Sequence, residues 1–240
     1  MAHPYFHAIS SSRKFGGDAS DYQFLHDWFD ATKAHYPQFR HRLLRHSREG
    51  IRLALAIFGN VLETRDGLVA IQDVCEQHIL EDCGRMPSVH DWLAGFSPAA
   101  WMGTIHPVST AEQNTASARR YGGVAEDYHR LHSFFDTFES EDWNCLPLFA
   151  LRHHSEALFL AEQFFKAPTL TNSNGRKVPI RALGEQHMIL HFGRVPVPAD
   201  WLRCVNIQPW MRQVGDPHAG QGEGREGDQG CDAGRLHRRG

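Results

Sequence analysis

Six histidines recur at matching places in this chain, His26, His46 and His78 in its first part and His132, His153 and His187 in its second. His78 is followed four residues later by Asp82, and His187 by His191. A helix places residues i and i+4 on one face, so each pair can grip a single cation. The first set (His26, His46, His78, Asp82) then offers three nitrogens and one oxygen. The second (His132, His153, His187, His191) offers four nitrogens. Both suit a divalent ion, zinc first, with ferrous iron or nickel as alternatives. Asp30 and Asp136, one turn beyond His26 and His132, and Glu49 and Glu156, three residues beyond His46 and His153, are carboxylates placed to orient those imidazoles from behind. Competing with coordination is a purely structural reading, in which the imidazoles bond to carboxylates and backbone inside the core. No residue is assigned a catalytic role.

Helices must carry these groups. Phe15-Gly16-Gly17, Asp21-Tyr22, Leu25-His26 and Phe29-Asp30 recur as Tyr121-Gly122-Gly123, Asp127-Tyr128, Leu131-His132 and Phe135-Asp136. Arg45-His46, Glu76-Gln77-His78 and Asp91-Trp92-Leu93 recur as Arg152-His153, Glu185-Gln186-His187 and Asp200-Trp201-Leu202. The offset grows from roughly 106 to roughly 109 residues, the mark of a tandem duplication with small loop insertions. In the first copy, Tyr22, Leu25, His26 and Phe29 share one helical face, pointing His26 inward. A second helix is expected from about Arg40 to Phe58. A third is expected from about Ile71 to Cys83, closed by Gly84, and a short one follows the N-cap Ser88 with Asp91. Asp66-Gly67 and Asn174-Gly175 sit between short β-compatible runs and predict one hairpin per copy. Trp28, Trp92 and Trp201 read as core anchors.

The expected architecture is therefore mainly α, with a small β-hairpin per unit, in two tandem pseudo-symmetric lobes. Residues 1–96 form copy one, 97–120 a linker or degenerate first segment, 121–205 copy two and 206–240 a Gly-rich disordered tail.

Net charge is -3, with 17 histidines among 240 residues, so no overall positive field draws the chain to nucleic acid. His41, Arg45, Arg48 and Arg52 form a basic stripe that reads as a solvated helix face, because copy two replaces it with residues such as Leu148, Ser155 and Phe159. Phe15-Gly16-Gly17 and Tyr121-Gly122-Gly123 lack the spacing and lysine of phosphate loops and read as turns. The five cysteines, Cys75, Cys83, Cys145, Cys204 and Cys231, are scattered and form no CxxC pair, so a reducing cytoplasm is the expected setting. No apolar stretch is long enough to span a bilayer.

His7-Ala-x-Ser-Ser11, the Phe-Gly-Gly and Asp-Tyr segment, Arg45-His46-x-x-Glu49, Asn172-x-Asn-Gly-Arg-x-Val-Pro-Ile180 and Glu-Gln-His resemble a His-rich family of bacterial and phage domains of unknown function. The resemblance covers most of Ala2 to Phe96 and, more loosely, Tyr121 to Leu202. It implies no established chemistry. Copy two lacks His41 and the His7 segment, so a site needing them would work in copy one alone.

The resulting expectation is an intracellular binding or regulatory protein with His-centred lobes that hold a divalent metal. Its partner is expected to be a protein, in the manner of a phage or mobile-element inhibitor of a host system, with nucleic acid and membrane disfavoured and self-association open. The alternative is a metal-dependent hydrolase of phosphoesters or nucleotides, with Glu49 or Asp82 as base.

Overall fold

A computed structural model of the chain describes residues 3–36, 38–136 and 146–212. Lobe one opens with α1 (Pro4–Phe15) and α2 (Ala19–Asp30), joined by Gly16 and Gly17. Both glycines have positive φ, +86° and +70°, a region side chains other than glycine's rarely adopt. The Tyr22 hydroxyl donates to the Gly16 carbonyl and locks this turn. A 3-10 turn, Phe39–Leu44, leads to α3 (Arg48–Phe58). The hairpin β1 (Val61–Thr64) and β2 (Gly67–Ala70) pairs Thr64 with Gly67 and Val61 with Ala70. It feeds α4 (Ile71–Cys83), which ends on left-handed Gly84, and α5 (Val89–Leu93), capped by Ser88 and Asp91.

Lobe two repeats this order with α6 (Thr110–Tyr121), α7 (Glu126–Asp136), a 3-10 turn at Leu146–Leu151, α8 (Ser155–Phe165), β3 (Thr169–Thr171), β4 (Lys177–Pro179), α9 (Ile180–Phe192) and α10 (Pro198–Leu202). Three expectations change. The segment expected as a linker contains α6, the counterpart of α1, capped by Ser109 with Glu112. The helix expected from Arg40 to Phe58 is interrupted at residues 45–47, because Ser47 caps α3 and the Trp92 indole donates to the freed carbonyl of His46. Trp201 does the same to His153. Finally, residues 206–212 of the expected tail belong to the fold, whereas the rest of it, 213–240, lies outside the described residues.

The lobes exchange their last segments. Phe96 pairs with Val205 in an antiparallel bridge, flanked by Ser97 N–H to the Cys204 carbonyl and Asn206 N–H to the Gly95 carbonyl. Beyond that crossing Trp101 packs on Trp201, and Trp210 packs on Trp92. Arg194 covers Trp101 and Arg85 covers Trp210. Each contact has its mirror, as a pseudo-twofold requires. Trp92 and Trp201 are fully buried and Trp28 nearly so. Among the described residues no helix is long and apolar enough to cross a membrane.

Candidate metal centres

The break before α3 turns Arg45 and His46 to opposite sides. His46 enters the lobe, where its Nε2 lies 3.1 Å from His78 Nε2 on α4 and 3.1 Å from Asp82 Oδ2. Asp30 Oδ1, from the end of α2, is 3.9 Å from His46 Nε2. In lobe two His153 Nε2 is 3.1 Å from His187 Nε2. Asp136 Oδ1 lies 3.3 Å from His187 Nε2, 3.6 Å from His153 Nε2 and 3.9 Å from His191 Nε2. Within each quartet, Asp30–His46–His78–Asp82 and Asp136–His153–His187–His191, one donor atom from every residue lies within 4.8 Å of the others. A tetrahedral ion with bonds of about 2.0–2.1 Å separates its donors by about 3.3 Å. The lobe-two distances sit around that value.

Two sequence expectations are redistributed. His26 and His132 fall outside the quartets, each standing behind another imidazole. His26 Nδ1 is 2.9 Å from His78 Nδ1 and its Nε2 is 2.9 Å from the Ser11 hydroxyl. His132 repeats this with His187 at 3.0 Å and Ser117 at 2.8 Å. Asp30 and Asp136, expected behind the imidazoles, instead point donors into the centre. The signal was in the sequence, since i+4 from an inward histidine on a helix is also inward. Ser11, Ser117 and Gln77 were given no role, although Gln77 lies in the repeated Glu-Gln-His run and Ser11 in the His7 segment.

Glu49 and Glu156 point away from the centres altogether. Glu156 accepts from Arg45 and Glu49 from Arg152, each at 2.6 Å and each across the lobe boundary. The expected basic stripe dissolves accordingly. Arg45 is buried in that ion pair, and His41 is buried near Asp30, at 3.8 Å. Arg48 and Arg52 remain exposed.

A single proton assignment runs through the lobe-one chain. With the His78 Nε2 lone pair facing the centre, its Nδ1–H donates to His26 Nδ1, His26 Nε2–H donates to Ser11, and Ser11 donates to Gln77 Oε1 at 3.3 Å. The Gln77 amide then donates to Glu81 at 2.7 Å. All protons point outward, as they do behind metal-bound histidines. The two facing Nε2 atoms of each lobe cannot both carry hydrogen. Either they share a proton, or a cation takes both lone pairs.

Burial favours the ligand form of every imidazole in the quartets. Desolvation lowers His46, His153 and His191 to about 4 and holds His78 and His187 below the ordinary histidine value. His26 falls to about 4 and His132 to about 3 for the same reason. Burial by itself would raise the Asp82 carboxyl, but hydrogen bonds from His46 and His7 and the Arg42 charge outweigh it and hold Asp82 well below the carboxylate range. Asp136 is likewise held low, the His153 and His187 imidazoles beside it overcoming desolvation. Neutral imidazoles beside ionised carboxylates are the protonation states that bind metal.

A domain family described as being of unknown function (DUF6915) matches the chain twice, over residues 2–102 and again over 106–211. The chain belongs to this family. Each DUF6915 copy begins before the first helix of its lobe and runs through the exchanged tryptophan segment, so the unit is longer at both ends than the repeat legible in the residues. No curated protein and no solved structure shows a significant match to this tandem DUF6915 chain.

Proposed function

We propose that this protein is a divalent-cation-binding scaffold, in which an ion held inside a helical lobe fixes the elements that present the outer surface to a protein partner. The carrying observation is the convergence of three Nε2 atoms and one carboxylate oxygen in lobe two. There, Asp136 Oδ1 and His191 Nε2 have no hydrogen-bond partner although their side chains are 3 % and 1 % exposed. Buried polar atoms are rarely left so, and a cation satisfies both. The donor set suits zinc, with iron or nickel next.

Closure supports holding rather than hydrolysis, because hydrolytic ions keep a position open to water and substrate. A cleft of about 410 Å³ between the lobes is lined by Glu49, Arg52, Arg130 and Phe164 among others, and by none of the eight quartet residues. Tyr5 and Phe6 on α1, 52 % and 62 % exposed, supply aromatic surface of the kind protein partners use.

Elemental analysis of untagged protein, repeated for His78→Ala combined with His187→Ala, tests the reading. Stoichiometric metal in the wild type, lost in the variant, is expected. A stably folded wild type that purifies without metal and takes up none from micromolar zinc contradicts it.

A further inference from the structure

We propose that the protein holds one divalent ion per chain, in lobe two, and that the Arg42–Asp82 ion pair takes the place of a second ion in lobe one. This assignment rests on the metal-centre reading above and concerns which lobe is occupied.

The argument is one of buried charge. In lobe one, Arg42 Nη2 lies 2.8 Å from Asp82 Oδ1, and Arg42 Nη1 donates to the Asp82 carbonyl at 2.6 Å. The Lys33 ammonium is 2.6 Å from Asp30 Oδ2. His7 sits between Asp82 Oδ1 at 3.4 Å and Glu81 Oε2 at 2.6 Å. Arginine does not give up its proton in proteins, so Asp82 already faces a permanent cation, and Asp30 already has a lysine partner. A dication added there would leave uncompensated positive charge in the core, which desolvation opposes.

Lobe two replaces His7, Arg42 and Glu81. Gln113, Phe149, Leu190 and His191 stand where lobe one has His7, Arg42, Glu81 and Asp82. Asp136 Oδ2 accepts from the Thr110 hydroxyl at 2.7 Å. Among the described residues, the ion-pair contacts of Asp136 Oδ1 are to His153, His187 and His191. In lobe two the single buried carboxylate offsets half the charge of a dication, whereas in lobe one Asp30 and Asp82 are already paired and would offset none of it. His191 is held by two backbone groups at its Nδ1, the Val108 N–H donating at 3.2 Å and the His106 carbonyl lying 3.3 Å away, with Nε2 turned toward Asp136.

The test is a zinc titration of the full-length protein against a chromophoric chelator, with native mass spectrometry counting ions per chain and circular dichroism monitoring the fold. Wild type is expected to hold one zinc. His191→Ala is expected to bind it at least 100-fold more weakly, and Arg42→Phe with Asp82→His, which carries the lobe-two residues into lobe one, to hold two. Two ions in the wild type, or one ion kept by His191→Ala and lost by His78→Ala, would overturn the lobe assignment. A folded Arg42→Phe, Asp82→His variant that stays at one ion overturns the role given to the ion pair. No ion in any of these proteins overturns both this assignment and the reading beneath it.

Discussion

In lobe one Asp82 faces Arg42, while in lobe two the same two places hold His191 and Phe149, whose rings lie 5.5 Å apart. Around that exchange the lobes agree closely. Both keep the serine–imidazole–imidazole–imidazole chain, and both bond an indole to the carbonyl of the central histidine. A helical frame of one shape thus carries two solutions to the same problem, how to keep a buried carboxylate ionised. One uses side-chain cations fixed by the sequence. The other leaves a cluster of lone pairs of the kind an ion from solution would complete. The comparison teaches that duplication preserved the positioning of the imidazoles and freed the charge around them to diverge.

The largest effect that would sharpen this contrast is on stability. Arg42→Ala removes the arginine from a buried ion pair, a loss of about 3–5 kcal/mol. Urea denaturation of the metal-free protein should show that loss, and Phe149→Leu in the matching place should cost under about 1.5 kcal/mol. Equal losses would break the comparison. Next in size is Asp136→Asn, which is expected to weaken zinc binding by more than the 10–100-fold typical of an outer partner, measured by chelator competition. Asp30→Asn, its lobe-one counterpart, should leave the tight site unchanged.

Smaller again is the reciprocal pair across the boundary. Glu156→Gln and Glu49→Gln each weaken one charge-assisted bond, from Arg45 and Arg152 respectively. Each should cost about 1.5–3 kcal/mol at most, with Glu156→Gln the costlier because Glu156 also meets His35 Nε2 at 2.9 Å. A larger loss from Glu49→Gln in denaturation would contradict this.

The pH response sets His7 apart by sign from buried histidines such as His26 and His132. Histidines of both lobes, among them His26, His46, His132 and His153, are lowered to about 4 or about 3 by burial. Unfolded histidine titrates near 6.5, so between about 6.5 and about 4 the unfolded chain binds more protons and stability falls as pH falls. His7 behaves oppositely. Burial lowers it, but its bonds to Asp82 and Glu81 prevail and raise it to about 9. Its contribution is complete below about 6.5 and is lost as pH rises through about 9. Denaturant midpoints across pH 5 to 9.5 should therefore decline at both ends. His7→Gln, which carries the lobe-two residue, should remove part of the alkaline decline alone.

Much of this was legible from residues. The repeat, the inward face of α2, the hairpins at Asp66-Gly67 and Asn174-Gly175, and the glycine end of α4 follow from local spacing and turn chemistry. What was not legible depends on contacts between distant parts. α6 shares with α1 only scattered residues, such as Ser117 for Ser11 and Arg119 for Arg13, too few to read as a repeat. The break at residues 45–47 needs the Trp92 indole from α5, and the crossing at Phe96 and Val205 joins separate lobes. Glu49 looked like a partner of His46 because the two are three apart, yet the backbone break between them sends them to different sides.

The most direct test of the metal-centre account is anomalous diffraction at the zinc edge from crystals of untagged, zinc-loaded protein. The account predicts a single strong peak in lobe two, about 2.0–2.2 Å from His153, His187 and His191 Nε2 and from an Asp136 oxygen. Anomalous density confined to surface sites, with the three imidazoles still packed against Asp136 and nothing between them, would contradict it.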